Sequence, residues 1–127
     1  MIVKNVTKQV KLASRAGVAD NVVSRGIGLL GRGDLPSGEA LIIGPCNSVH
    51  CMFMRFPIDV LFVDKSGCIL HAIRNMKPFR VSKIVRGSAY VVELQAGLLE
   101  ETGTEVGDKV EILDGQGSGM SGEEERG

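Results

Sequence analysis

Residues Phe56 to Asn75 read FPIDVLFVDKSGCILHAIRN, and their reading decides the fold. Ile58, Val60 and Phe62 alternate with Asp59, Leu61 and Val63, so a strand here sets three apolar side chains on one face and two on the other. A strand apolar on both faces belongs inside a sheet. Pro57 has no amide hydrogen to give a ladder and suits the strand entry, with Phe56-Pro57 as the bend that joins it to what precedes. Asp64-Lys65-Ser66-Gly67 is a tight connection, and CILHAIRN returns as the hairpin partner.

Working outward, residues 2–19 alternate Val, Ile and Thr with Lys and Gln and read as extended chain, with a break between short strands expected at Ala16-Gly17. DNVVSRGIGLLGRGD has an N-cap in Asp20, an apolar stripe in Val22, Val23, Ile27 and Leu30, and a stop at Gly31 and Gly33, which predicts a short helix. DLPSGE is a turn, ALIIG a short buried strand and HCMFM a strand before the Pro57 bend. AYVVELQ is a strand, GLLEETGT a helical turn or short helix, and VGDKVEIL a last strand entered through Gly107-Asp108. About seven short strands and few helices predict a mainly β, α+β domain: a small antiparallel β-barrel or sandwich with one short packed helix. The domain is expected over residues 1–113. Residues 114–127, rich in Gly and Ser with an acidic end, are expected to be a disordered tail because they lack apolar side chains to offset ordering.

The bulk numbers limit the partners. The 127 residues are 43% hydrophobic and 24% charged, and 15 Lys+Arg balance 15 Asp+Glu. Zero net charge argues against a nucleic-acid partner, and the absence of Trp with a single Tyr removes stacking platforms. No apolar run is long enough to span a bilayer. The first residues hold no continuous apolar segment of the signal-peptide type, so the chain as given reads as cytoplasmic; periplasmic or secreted placement stays compatible with it. The odd count of 3 cysteines suits free thiols better than a disulfide framework. RGIGLLGRGD lacks the strand before it and the Lys-Ser/Thr after it that a phosphate loop needs. No cofactor is expected, and the oligomeric expectation is a monomer or weak dimer.

The run GLLGRGDLPSGEALII, followed by CNSVHCMFMRFPIDVLFVDKSG, VVELQAG and GTEVGDKVEI, resembles the DUF192 family of uncharacterised conserved proteins over roughly residues 8–113. The matching positions are Arg25, Gly28, Leu29, Arg32, His50, Met54, Phe56, Pro57, Ile58, Asp59, Glu93, Leu94, Gly97, Gly107 and Asp108. The resemblance implies a small β-rich domain with a helix near Arg25 to Arg32, and no established activity or catalytic residues. Met52 departs from the pattern, since relatives usually carry an aromatic there. Many relatives begin with a signal peptide.

Three chemistries compete around the opening stretch. On a strand, His50, Met52 and Met54 share a face and present a soft-metal donor set, which Cys46 could join; the plainer reading makes the methionines core filler. Cys46 and His50 could be a thiol nucleophile and its base, with Asp59 the nearby acid; the plainer reading is a buried inert thiol. Asp59 itself starts an apolar strand and must find donors or a cation, from backbone N–H groups holding a loop or from Arg55, Arg25 or Arg32. The favoured function is a non-catalytic binding or accessory module that recognises an as yet unknown small molecule or protein, with Cys46, His50, Arg55, Asp59 and Arg25 as ligand-binding candidates. The alternative is a small enzyme or soft-metal site on Cys46, His50 and Asp59.

Overall fold

The computed structural model describes residues 1–19, 35, 37–44, 56–77 and 82–114. The helix expected from Asp20, the HCMFM strand and the tail from residue 115 lie outside the described residues. Within them the chain forms β1 (Ile2–Asn5), β2 (Val10–Ala13), β3 (Arg15–Ala19), β4 (Glu39–Ile43), β5 (Ile58–Val63), β6 (Ile69–Met76), β7 (Tyr90–Gln95), α1 (Leu98–Thr102) and β8 (Val110–Leu113). The strands make a three-stranded sheet, β2-β1-β8, and a five-stranded sheet, β3-β4-β7-β5-β6. Every pairing is antiparallel except β3 with β4. That parallel pair is allowed because residues 20–38 between them leave enough chain to cross over. Neither sheet closes into a barrel among the described residues. Among the described residues the architecture is mainly β, two sheets sharing a core and one short helix.

The alternation in β5 does what it predicts. Ile58, Val60 and Phe62 join one apolar cluster with Ile43 and Val91, while Leu61 and Val63 join another with Val92 and Leu94. The second cluster also takes Val3, Leu12 and Ala13 from the small sheet and Leu99 from α1, so it fills the space between the sheets. All six residues of β5 are buried, flanked by β7 and β6. Full burial of each large side chain such as Phe62 or Leu61 contributes about 1.5–3 kcal/mol.

The Asp64 turn forms because one carboxylate oxygen collects three donors: Ser66 N at 2.9 Å, Ser66 Oγ at 2.7 Å and Cys68 N at 2.9 Å. These bonds, the Ser66 hydroxyl first, hold the Asp64 carboxyl below its ordinary value. Gly67, with φ +98°, completes the turn, and a Cβ there would stand 2.6 Å from the Val110 carbonyl oxygen. That close approach joins the two sheets at a corner: Val110 N donates to Gly67 O (2.7 Å) and Ile69 N to Asp108 O (2.9 Å).

The break expected at Ala16-Gly17 is displaced. β3 runs straight through both residues, and the chain passes from one sheet to the other at Ser14, where Ser14 N and Arg15 N both donate to Gly38 O at 2.9 Å. The tight turn lies earlier, over residues 6–9. There Asn5 Oδ1 accepts Lys8 N at 3.0 Å and Gln9 takes φ 57°. An Asx-type bond of this kind turns the chain without a Gly or Pro, which is why the alternating pattern concealed it.

Candidate functional site

Asp59 is the second residue of β5 and is fully buried. Three backbone N–H groups satisfy it. Oδ1 accepts Asn75 N at 2.8 Å; Oδ2 accepts Gly97 N at 3.1 Å and Leu99 N at 2.9 Å. The donors come from two elements that sequence separation would not bring together. On β6 the register slips, because Ile58 faces Met76 while Val60 faces Ile73. Arg74 and Asn75 therefore bulge opposite Asp59, and Asn75 takes φ 54°, a left-handed conformation that asparagine tolerates. Beyond β7, Gly97 at φ 94° turns the chain into α1, where Glu101 N donates to Gly97 O. One carboxylate thus holds both a bulge and a helix start.

Between these two elements lies an open cleft of about 290 Å³, lined by Asp59, Arg74, Asn75, Ala96, Gly97 and Glu100. Arg74 and Glu100 are exposed, and among the described residues neither belongs to an ion pair. The one polar bond of the Arg74 guanidinium among those residues is Nη2 to Thr104 O, at 3.5 Å.

Thr104 connects the cleft to a second polar group. Asn5 Nδ2 donates to Thr104 Oγ1 (3.0 Å) and to Asp108 Oδ2 (2.9 Å), and Lys8 Nζ reaches Asp108 and Glu105 at 2.9 Å. Asn5, Thr104 and Asp108 are buried. Burial pushes the Asp108 carboxyl upward, but the Asn5 and Lys8 hydrogen bonds and the Glu105 N–H outweigh it, and the net shift is downward. The same contacts, Asp108 first, raise Lys8. This cluster fastens the β1–β2 turn to the turn before β8, and its donors and acceptors are occupied with one another.

Glu93 is also fully buried, between Leu41 and Val60 in register. It shares its face of β7 with Val91, opposite to the face that carries Asp59.

Of the residues singled out in the sequence, Asp59 falls within the described structure, where it holds loops by backbone N–H bonds. Cys46, His50, Arg55 and Arg25, and the weaker metal candidates Met52 and Met54, lie outside the described residues. Arg74, Asn75, Ala96 and Glu100 were not singled out. The signal for Arg74 and Asn75 is faint, since a bulge adds one residue and leaves composition unchanged. Gly97 is among the positions that the resemblance singles out; at φ 94° it turns the chain beyond β7, and its N–H donates to Asp59.

The model of the family DUF192, described as "Uncharacterized ACR, COG1430", matches residues 3–112. This chain belongs to the DUF192 family. A UPF0127 protein of Pyrococcus abyssi is 30% identical over 117 residues, covering 88% of this chain and 97% of the relative. A UPF0127 protein of Pyrococcus furiosus is 33% identical over 112 residues, covering 84% and 94%. Among solved structures, a protein of unknown function from Novosphingobium aromaticivorans shares the fold, with TM-score 0.73 and 23% identity over 87% of this chain and 82% of that one. Asp59 and Gly97 meet in space by the hydrogen bond above, and Asp108 anchors the second polar cluster. Among the described residues, no helix is long and apolar enough to cross a membrane.

Proposed function

We propose that this DUF192 protein is a non-catalytic binding module that takes a small polar ligand into the cleft over Asp59. The observation that carries the reading is the way Asp59 is used. Its carboxylate is buried and spends its oxygens on three backbone N–H groups, which fixes both walls of the cleft. Three of its roughly four lone-pair sites are taken by the backbone, which leaves it little with which to orient a histidine for Cys46. Arg74 and Glu100, by contrast, stand at the cleft with their charges available to a ligand. Walls set in advance lower the ordering cost of binding, which favours a recognition site.

A thermal-shift screen of small polar metabolite-like compounds tests this without presupposing a reaction. A ligand present at 100 times its Kd stabilises the folded state by about 2.7 kcal/mol. A hit that shifts the wild-type melting temperature and fails to shift Arg74→Ala supports the reading. A screen whose hits all act equally on Arg74→Ala and Glu100→Ala contradicts it.

A further inference from the structure

We propose that the ligand of this cleft is a small zwitterion of the α-amino-acid class, held by its carboxylate on Arg74 and by its ammonium on Glu100. This rests on the reading of the cleft as a binding site and names its substrate class. Two long, oppositely charged and exposed side chains line one depression, yet among the described residues they form no ion pair with each other or with any other group. Arg74 gives a single 3.5 Å bond to Thr104 O, so most of its five N–H donors are available, in the fork geometry that suits a carboxylate. Glu100 accepts no hydrogen bond from a side chain among the described residues and offers an acceptor-only group to an ammonium. A ligand carrying one charge alone engages one wall of the cleft. A ligand with both charges satisfies both.

Size and lining narrow the class further. About 290 Å³ lies at or just below the lower end of small-molecule sites, which start near roughly 300 Å³. Among the described residues Ala96 is the one apolar side chain of the lining, and the aliphatic stems of Arg74 and Glu100 add apolar surface, so the size of the cleft rather than its polarity limits the ligand to a small side chain. The Asp59 carboxylate behind the cleft is balanced by its three N–H donors and leaves the recognition of an ammonium to Glu100.

Calorimetric titration of the full chain with glycine, alanine and serine, and with N-acetylalanine and alaninamide, tests the proposal, because each blocked compound lacks one charge. Removing either charge is expected to weaken binding about two- to fivefold, the size of an exposed ion pair. In Arg74→Ala alanine and alaninamide should bind alike, and in Glu100→Gln alanine and N-acetylalanine should bind alike. Both side chains are exposed, and circular dichroism checks that the variants stay folded. Equal binding of alanine and its blocked forms to the wild type overturns the zwitterion assignment and leaves the binding module standing. So does the absence of heat with every amino acid while the broader screen still finds a cleft ligand. A blank screen together with blank titrations overturns both.

Discussion

Replacing Asp59 strikes the cleft at its support. Asp59→Ala leaves three backbone donors without their acceptor: Leu99 N–H, whose bond to Asp59 is buried, and the part-buried Asn75 and Gly97 N–H groups. Stranding the buried donor costs about 2 kcal/mol, and each part-buried donor, which water can reach, costs about 1 kcal/mol. The sum is about 4 kcal/mol, a large share of the roughly 5–15 kcal/mol that holds a domain of this size together. At about 4 °C per kcal/mol the melting temperature falls by roughly 15 °C. Asp59→Asn keeps one oxygen acceptor and turns an NH2 group toward the donors on the other side. Its penalty should be about half that of the alanine variant. Urea unfolding followed by circular dichroism orders the three proteins, and hydrogen exchange at Asn75, Gly97 and Leu99 shows whether the lost stability is local to these amides. If Asp59→Asn matches the wild type within about 0.5 kcal/mol, the three-donor account is wrong.

Further outcomes follow from the other polar sites. Asn5→Ala removes the Asn5 bonds to Thr104, to the Asp108 carboxylate and from Lys8 N, while Lys8 and Glu105 N still hold Asp108, and should cost about 2–3 kcal/mol in urea unfolding. Because Asp108 titrates below its ordinary 3.8 in the folded state, its contribution is complete above that value and is lost as pH falls through the lower folded-state value. Asn5→Ala should therefore move part of the acid unfolding to higher pH. Gly67→Ala meets both a φ of +98° and the Val110 carbonyl 2.6 Å from the new Cβ, and should cost about 2–3 kcal/mol by the same assay. His71, packed on Phe62 with ring centroids 5.6 Å apart, is held below 6.5 by burial and by the Lys83 charge. An NMR titration should show this, and Lys83→Ala should move the value part of the way back.

The legible parts of the fold were those written in local pattern. β5 and β6 were readable because Ile58 to Val63 alternates between two apolar faces and Asp64 to Gly67 turns tightly. Asp59 is legible because a carboxylate inside an apolar strand must find donors, and backbone N–H groups are one source of them. Less was legible where structure depends on partners far apart in the chain. The parallel pairing of β3 with β4 sets Arg15 opposite Glu39 and Ala19 opposite Ile43, and nothing in the pattern of either strand marks the other as its partner. The turn over residues 6–9 rests on the Asn5 side chain, with no Gly or Pro to announce it. The walls of the cleft come from a register slip in β6 and a left-handed Gly97, which bring Arg74 and Glu100 to one depression although neither is unusual in its own stretch of sequence. The stretch from Cys46 to Arg55, richest in reactive side chains, lies outside the described residues.

The most direct test of the central claim is an amide NMR map of the full chain, recorded while the tightest compound from the screen is added. The account predicts that Arg74, Asn75, Ala96, Gly97 and Glu100 shift most, with Leu99 close behind through its bond to Asp59. Largest shifts confined to other residues, with these amides unmoved at saturation, would contradict it.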